Sequence, residues 1–530
     1  MRKFGLSFLG LVLTFTLLKG IFWALLVPLW HFPDEQAHFG HVAYLVEGNN
    51  PNLGRENDLT EEIAISEKRL GTFRDEKGNN QFTFHPEYRI EYSGNYNGVY
   101  EEEIENLSLE TRNNFVAKES AYYPHTFYRA SGLIYKLFYQ SNLFVRVFSI
   151  RLFWVWLQLL MIGMVWGIAK IVFPQKPVLV YVATAVTALH PMLTFVGSGV
   201  SSDNLHNLLF TAVIYFSLKT IDNPKGGSLI WLILVIGLGL VIKQQFLIAF
   251  SVAAPAVIYA LIVKPKLITR MLIAGVGAIG TIMILDPVYL PSLIKVVLKG
   301  KLPYIGIGRE VVIVRPEYGF FEHVVWTVRH TISEVLPWYW GVFNWLGVVL
   351  PRWVNRVFMR LLLVAGLGIL IKVVNIVKSR KMSREDWYLV FLAWAAAAYY
   401  IVLMIWDYFH VRSSGFPFGI QGRYYFPVIS AHMVLLTLGF TTAVEAVGRY
   451  FKQDWVRPAA WMLIIWFVVV QIVALYTVAS AYYDLSSFNT FIIQASQYKP
   501  WFAKGGWLIG SLVLYLGSLT ALIYRFKHEK

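Results

Sequence analysis

Long apolar runs separated by short polar stretches dominate the chain. Runs of about 20 apolar residues match the hydrocarbon thickness of a bilayer. The first extends from Gly5 to Leu29, and others fall near 145–173, 178–196, 205–220, 229–242, 246–263, 271–288, 353–377, 387–406, 425–444, 459–480 and 506–524. The pattern predicts an all-α polytopic membrane protein, one integral-membrane domain over 1–530 with about twelve transmembrane helices.

Two polar interruptions are much longer than the rest, 30–143 and 289–351. The first reads as a large extracytoplasmic loop with amphipathic interfacial helices and a small cap. Within it, Phe39, Val42, Ala43 and Val46 recur at helical spacing, while Asp34, His38 and His41 share another face. That pattern predicts a helix over Glu35–Glu47 lying on the membrane with its polar face in a cavity. A second amphipathic helix is expected over 127–138, with Phe127, Ala130, Leu133, Ile134, Leu137 and Phe138 on its apolar face. The second interruption reads as another extracytoplasmic region. It ends in Trp338-Tyr339-Trp340, aromatics of the kind that mark a membrane interface.

Composition sharpens this picture. Of 530 residues 56% are hydrophobic and only 15% charged, against about a quarter charged in soluble domains. The net charge of +15 comes from basic residues lying between the apolar runs, where they set topology, so nucleic acid is not implied. The most basic turn, Lys378 to Arg384, places both termini in the cytoplasm and the stretch after the first run outside. Met1-Arg2-Lys3 before an apolar run that lacks a clear small-residue cleavage site reads as an uncleaved anchor. With no cysteine there are no disulfides, Fe–S clusters or Cys-ligated zinc. Lys19, inside the first run, either snorkels or lines a polar cavity.

With this topology the polar outliers fall on one side: Asp34, Glu35, His38, His41, Asp203, Lys243, Arg309, Arg329, Arg412 and Arg423. A carboxylate there can take a proton from an attacking hydroxyl or amine. Lys and Arg can offset charge on a departing phosphate, Arg through a planar fork. Each residue has a plainer reading. Asp34 and Glu35 suit a helix N-terminus, Asp203 suits the start of the next span, Lys243 suits an interfacial anchor, and Arg423 suits a structural ion pair. Asp34, His38 and His41 have the spacing to bind a divalent metal, or simply to form hydrogen bonds.

Pro33-Asp34-Glu35 after the first span, followed by His38, resembles the GT-C superfamily of polytopic glycosyltransferases, which includes protein O-mannosyltransferases and the lipid A aminoarabinose transferase. The chain is also similar to a bacterial membrane-protein family with Pro-Asp-Glu-x-x-His near its N-terminus and Gln-Gly-Arg-Tyr in its C-terminal third. Here these motifs are Pro33-Asp34-Glu35-Gln36-Ala37-His38 and Gln421-Gly422-Arg423-Tyr424. Many relatives have a His-Pro-Pro-Leu-Tyr-like motif after the first loop. This chain has Tyr122-Tyr123-Pro124-His125-Thr126-Phe127-Tyr128, in a different order.

The resemblance implies a GT-C-like bundle in the cell membrane with its active site on the extracytoplasmic side. It implies transfer of a sugar from a polyprenyl-phosphate donor to an acceptor that is a cell-envelope glycan, lipid or protein. Asp34 would be the base, with Glu35 beside it as helper or metal contact. His38, Asp203, Lys243, Arg423 and Tyr424 would bind substrate. The rival expectation is a polytopic transporter or lipid-linked sugar flippase, a class that often carries intramembrane charges and internal repeats. No repeat between the halves is evident.

Overall fold

In the computed structural model, residues 2–48, 57–72, 98–117, 124–224, 226–287, 291, 313–343 and 346–528 are described. The apolar runs fold as helices because no other open structure satisfies the backbone within hydrocarbon. In chain order they are α1 (Arg2–Leu26), α7 (Leu143–Val172), α8 (Pro177–Ala188), α9 (Pro191–Gly197), α10 (Asp203–Asp222), α11 (Gly227–Leu240), α12 (Ile248–Val263) and α13 (Leu267–Leu285). A second series comprises α16 (Arg352–Ser379), α17 (Arg384–Ser414), α18 (Ile429–Tyr450), α19 (Val456–Tyr482) and α21 (Gly505–Lys527). The protein is a multi-pass, all-α membrane protein.

The expected count of about twelve spans needs correcting. Among the described residues nine helices are long and apolar enough to cross a membrane, or ten if α8 and α9, bent by 53°, form one span. The other two expected spans are present as helices of a different kind. The 20-residue α10 carries Asp203, Asn204, His206, Asn207, Lys219 and Asp222, and α11 has only 14 residues. Pro191 sits at the start of α9, where its missing N–H costs nothing. Lys19 neither snorkels nor lines a cavity. It is fully buried, and its Nζ donates to the carbonyl of Ala188 at the break between α8 and α9. A cation there satisfies a carbonyl that the broken helix leaves open.

The first long interruption builds α2 (Glu35–Glu47), α3 (Glu61–Leu70), α4 (Gly98–Glu105), α5 (Glu110–Asn113) and α6 (Thr126–Leu137). Strands β1 (Leu59–Thr60) and β2 (Phe115–Ala117) pair antiparallel. The prediction of a surface-lying α2 is overturned, because every residue from Glu35 to Tyr44 is buried. Phe39 packs between Trp30 and Tyr135, with ring centroids 5.8 and 5.7 Å away. In α6, by contrast, Leu133 and Leu137 are exposed while Phe127, Tyr128, Ser131 and Tyr135 face inward. Its aromatic and small residues pack on the protein, and part of the expected apolar stripe faces outward.

The second interruption forms α14 (Phe320–His330), which continues through a π turn into α15 (Leu336–Trp340), and a hairpin of β3 (Val342–Phe343) with β4 (Val348–Val349). The expected interface aromatics turn inward here too. Tyr339 and Trp340 are buried, and Trp340 stacks on Phe358 at 3.7 Å.

Candidate active site

Asp34 and Glu35 sit in a strained turn between α1 and α2. Trp30 (φ 63°) and Asp34 (φ 56°) are both left-handed, a conformation that costs a non-glycine residue about 1–2 kcal/mol. Such strain persists only where the surroundings over-determine it, and here Glu35 does so. Its Oε1 accepts from Arg151 Nε at 2.7 Å and from Val200 N at 3.2 Å. Its Oε2 accepts from Arg151 Nη2 and from Trp30 N at 3.2 Å. Arg151 spends its remaining donors on the carbonyls of Ala24, Val27 and Pro28 at 3.1, 2.8 and 2.9 Å. All four carboxylate acceptor positions and all five guanidinium donors are therefore occupied. Glu35 and Arg151 are both fully buried. Glu35 is thus a structural clamp that joins the end of α1 to α7. The expectation of a catalytic helper or metal contact fails because no lone pair is left to offer.

Asp34 faces the other way. It occupies the N-cap position of α2 yet makes no side-chain cap bond. Its Oδ2 instead accepts from Arg423 Nη2 at 2.7 Å, 389 residues along the chain, and its side chain is 32% exposed. Arg423 Nη1 lies 3.7 Å from Asp203 Oδ2, and Asp203 Oδ1 pairs with Lys243 Nζ. Asp34, Arg423, Asp203 and Lys243 form one continuous chain of ion pairs. Tyr424 floors it, with the Arg423 guanidinium 5.4 Å and the Lys243 ammonium 5.9 Å from its ring centroid. Gln421 Oε1 holds Arg423 Nε at 3.0 Å.

Two close approaches bring these segments together. A Cβ on Gly422 would lie 2.2 Å from Tyr339 N, so only glycine lets the Gln421–Tyr424 loop dock against α15. A Cβ on Gly199 would lie 2.5 Å from Phe32 Cβ, so glycine there lets the Ser201–Asp203 turn meet the Pro33–Asp34 turn.

His38 sits behind the ion pairs. Its Nδ1 is 2.7 Å from Tyr128 Oη and its Nε2 3.4 Å from Ser201 Oγ. Ser201 Oγ also accepts from Asp203 N at 3.1 Å. Burial pushes His38 down to about 4, outweighing the opposing pull of Asp34 and Asp203, so its ring is neutral. His41 turns away. It stacks on His125 at 5.5 Å and meets the edge of Tyr128 at 4.5 Å, and burial lowers it to about 3. Among the described residues no three His, Asp or Glu side chains gather as a metal would require. Asp34, His38 and His41 therefore do not form the three-ligand group that their spacing suggested.

The structure thus brings together Asp34, His38, Asp203, Lys243, Arg423 and Tyr424. It leaves out Glu35 and His41, and Arg329 and Arg412 lie elsewhere on the fold, Arg412 reaching Pro316 O at 3.3 Å. Arg309 falls outside the described residues. Sequence reasoning missed Arg151, Tyr128, Ser201 and Gln421. A signal for Arg151 was available: an arginine inside an apolar run implies a buried partner.

A family model described as "Predicted membrane protein (DUF2142)" matches residues 17–432. The chain belongs to this family. Its matched region includes Asp34, Asp203, Lys243 and Arg423. No curated protein matches the DUF2142 chain by sequence. Among solved structures it is similar to ArnT from Cupriavidus metallidurans in the apo state, at 12% identity and a TM-score of 0.37 over 96% of this chain and 75% of that one. The same protein bound to undecaprenyl phosphate gives 13% identity and a TM-score of 0.35 over 88% and 76%. The archaeal oligosaccharyltransferase AglB from Archaeoglobus fulgidus, in complex with an inhibitory peptide and a dolichol-phosphate, gives 13% and 0.37 over 94% and 56%. At these identities and scores the likeness adds nothing to the geometry above, and residue roles are taken from this chain alone.

Proposed function

We propose that this DUF2142 chain is a GT-C-type membrane glycosyltransferase that moves a sugar from a polyprenyl-phosphate donor to an acceptor outside the cytoplasm. The observation that carries the reading is the half-open ion-pair chain Asp34–Arg423–Asp203–Lys243. It sets a base beside two cations on a multi-pass membrane protein. Its formal charges cancel at rest, so an arriving phosphate competes with the carboxylates for Arg423 and Lys243. Arg423 offers a planar fork and Lys243 a point charge, which together suit phosphate oxygens.

Once Arg423 turns to the phosphate, the Asp34 carboxylate is free to accept a proton. Asp34 then takes the proton of the acceptor O–H or N–H. The acceptor heteroatom bonds to the anomeric carbon as the bond from that carbon to the phosphate oxygen breaks. The electron pair leaves on the polyprenyl phosphate, whose charge Arg423 and Lys243 offset. In-line attack inverts the anomeric centre. Asp203 holds the two cations in register, and neutral His38 braces the Ser201–Asp203 turn.

Purified protein in lipid, given a polyprenyl-phosphate sugar, should release polyprenyl phosphate in an acceptor-dependent way. Full turnover by Asp34→Asn would sink the mechanism. Vectorial flux of the lipid-linked sugar in proteoliposomes without transfer would favour the transporter reading.

A further inference from the structure

Beside the ion-pair chain, a groove of about 330 Å³ opens between α15, α16, α17 and α18. We infer that it holds the isoprenoid tail of the lipid-phosphate donor and admits that donor sideways from the bilayer. The inference rests on the reading above and adds where, and from which direction, the donor binds.

Continuity with the cation site is the first argument. Tyr425 lines the groove two residues after Arg423, and Tyr339, the residue on which Gly422 docks, forms its inner wall. A phosphate on Arg423 and Lys243 therefore has an apolar channel beginning beside it. From Tyr425 the groove follows α18 to Leu436, roughly 17 Å at helical rise.

The lining chemistry is the second argument. Leu362, Ile369, Met433 and Leu436 supply apolar walls. The polar groups pair with one another: Thr331 Oγ1 lies 3.0 Å from Tyr400 Oη, and Tyr339 Oη lies 3.0 Å from His432 Nδ1. They ask nothing of a ligand, which suits a hydrocarbon occupant. The slot is also too narrow for a helix, whose diameter with side chains is about 10 Å. Its bilayer side is open at Gly366, which is exposed and where an added Cβ would meet nothing within 4 Å.

A second groove of about 770 Å³ lies between α1, α7 and α21, with Gly510 on its wall. It is lined by none of the ion-paired residues, so it serves as the control. Gly510, like Gly366, has open space at its Cβ position.

The test uses the full chain in phosphatidylglycerol nanodiscs, with undecaprenyl phosphate as the probe. Gly366→Phe fills the first groove and should weaken binding about tenfold or more, equivalent to about 1.4 kcal/mol. Gly510→Phe should bind within about twofold of wild type, a difference under half a kcal/mol. Equal binding by wild type and Gly366→Phe, or equal weakening by both variants, overturns the groove assignment. Absence of wild-type binding overturns the proposed function itself and is distinguished by that missing signal. A second readout guards against misfolding. The chain has no cysteine, so Gly366→Cys and Gly510→Cys each give a single thiol. Undecaprenyl phosphate should protect the thiol at 366 from a membrane-permeant alkylating reagent and leave that at 510 reactive. Protection at 510 alone overturns the inference.

Discussion

Asp34 and Glu35 are neighbours in sequence, each paired with an arginine, yet they belong to opposite kinds of site. The Glu35–Arg151 pair is sealed inside the bundle with every donor and acceptor matched. The Asp34–Arg423 pair joins two loops at the end of the bundle and leaves Asp34 one-third exposed. A saturated buried pair cannot exchange partners without stranding a charge, whereas a half-open pair can trade one anion for another. The first therefore fixes a backbone and the second suits a reaction. The left-handed turn through Trp30 and Asp34 links them, since Glu35 accepts from Trp30 N and so holds the turn that presents Asp34.

The largest effect should come from the sealed side. Glu35→Gln leaves Arg151 buried without its counter-charge, a change that costs about 3–5 kcal/mol when one partner of a buried pair is lost. Most of the folded protein should disappear, read as detergent-solubilised monomer on size exclusion and as a lost thermal transition. A stable Glu35→Gln protein with wild-type melting would remove the distinction between the two pairs.

On the open side, Asp34→Asn should leave melting within about 1 kcal/mol of wild type, as exposed pairs contribute little. Turnover should fall about 10²–10⁴-fold, the usual scale of general-base loss. Collapse of the fold in Asp34→Asn would show that its carboxylate is structural after all. Next in size, Lys243→Gln should raise the donor KM about tenfold with a smaller change in kcat, since it removes one charge-assisted contact to the phosphate. An unchanged donor KM would take Lys243 out of the phosphate site.

The same contrast marks how far the sequence can be read. The helical architecture was legible because bilayer-length apolar runs have one backbone solution. The polar α10 and the short α11 still appear as helices where the runs placed them, although neither passes on length and apolarity. The meeting of Asp34, Asp203, Lys243 and Arg423 was legible as polar residues left at one side of the bundle. The roles of Glu35 and Arg151 were not, because saturation depends on bonds to Val200 N, Trp30 N and three carbonyls, groups that every residue carries and no side-chain pattern marks. The burial of α2 and of Tyr339 and Trp340 was hidden for a related reason. Amphipathic spacing says that a face is apolar, not whether lipid or another helix covers it.

The smallest effect concerns pH, and it probes the wall between the two sites. His38 lies in α2, hydrogen-bonded to Tyr128 and Ser201 and within the field of Asp34, Asp203, Lys243 and Arg423. Burial lowers it to about 4, against about 6.5 in the unfolded chain. Between these values the unfolded state binds the extra proton, so stability rises with pH across that window. It is fully present above about 6.5 and is lost as pH falls towards about 4. His41, lowered to about 3, contributes with the same sign over a wider window. His38→Gln should therefore flatten, but not abolish, the fall in melting temperature on acidification, and adding His41→Gln should flatten it further. Tryptophan-fluorescence melts from pH 7.5 to about 4 measure the slope. If His38→Gln melts with the wild-type slope, the ring is not the buried neutral brace described here, and the Ser201–Asp203 turn must be held from the Lys243 side alone.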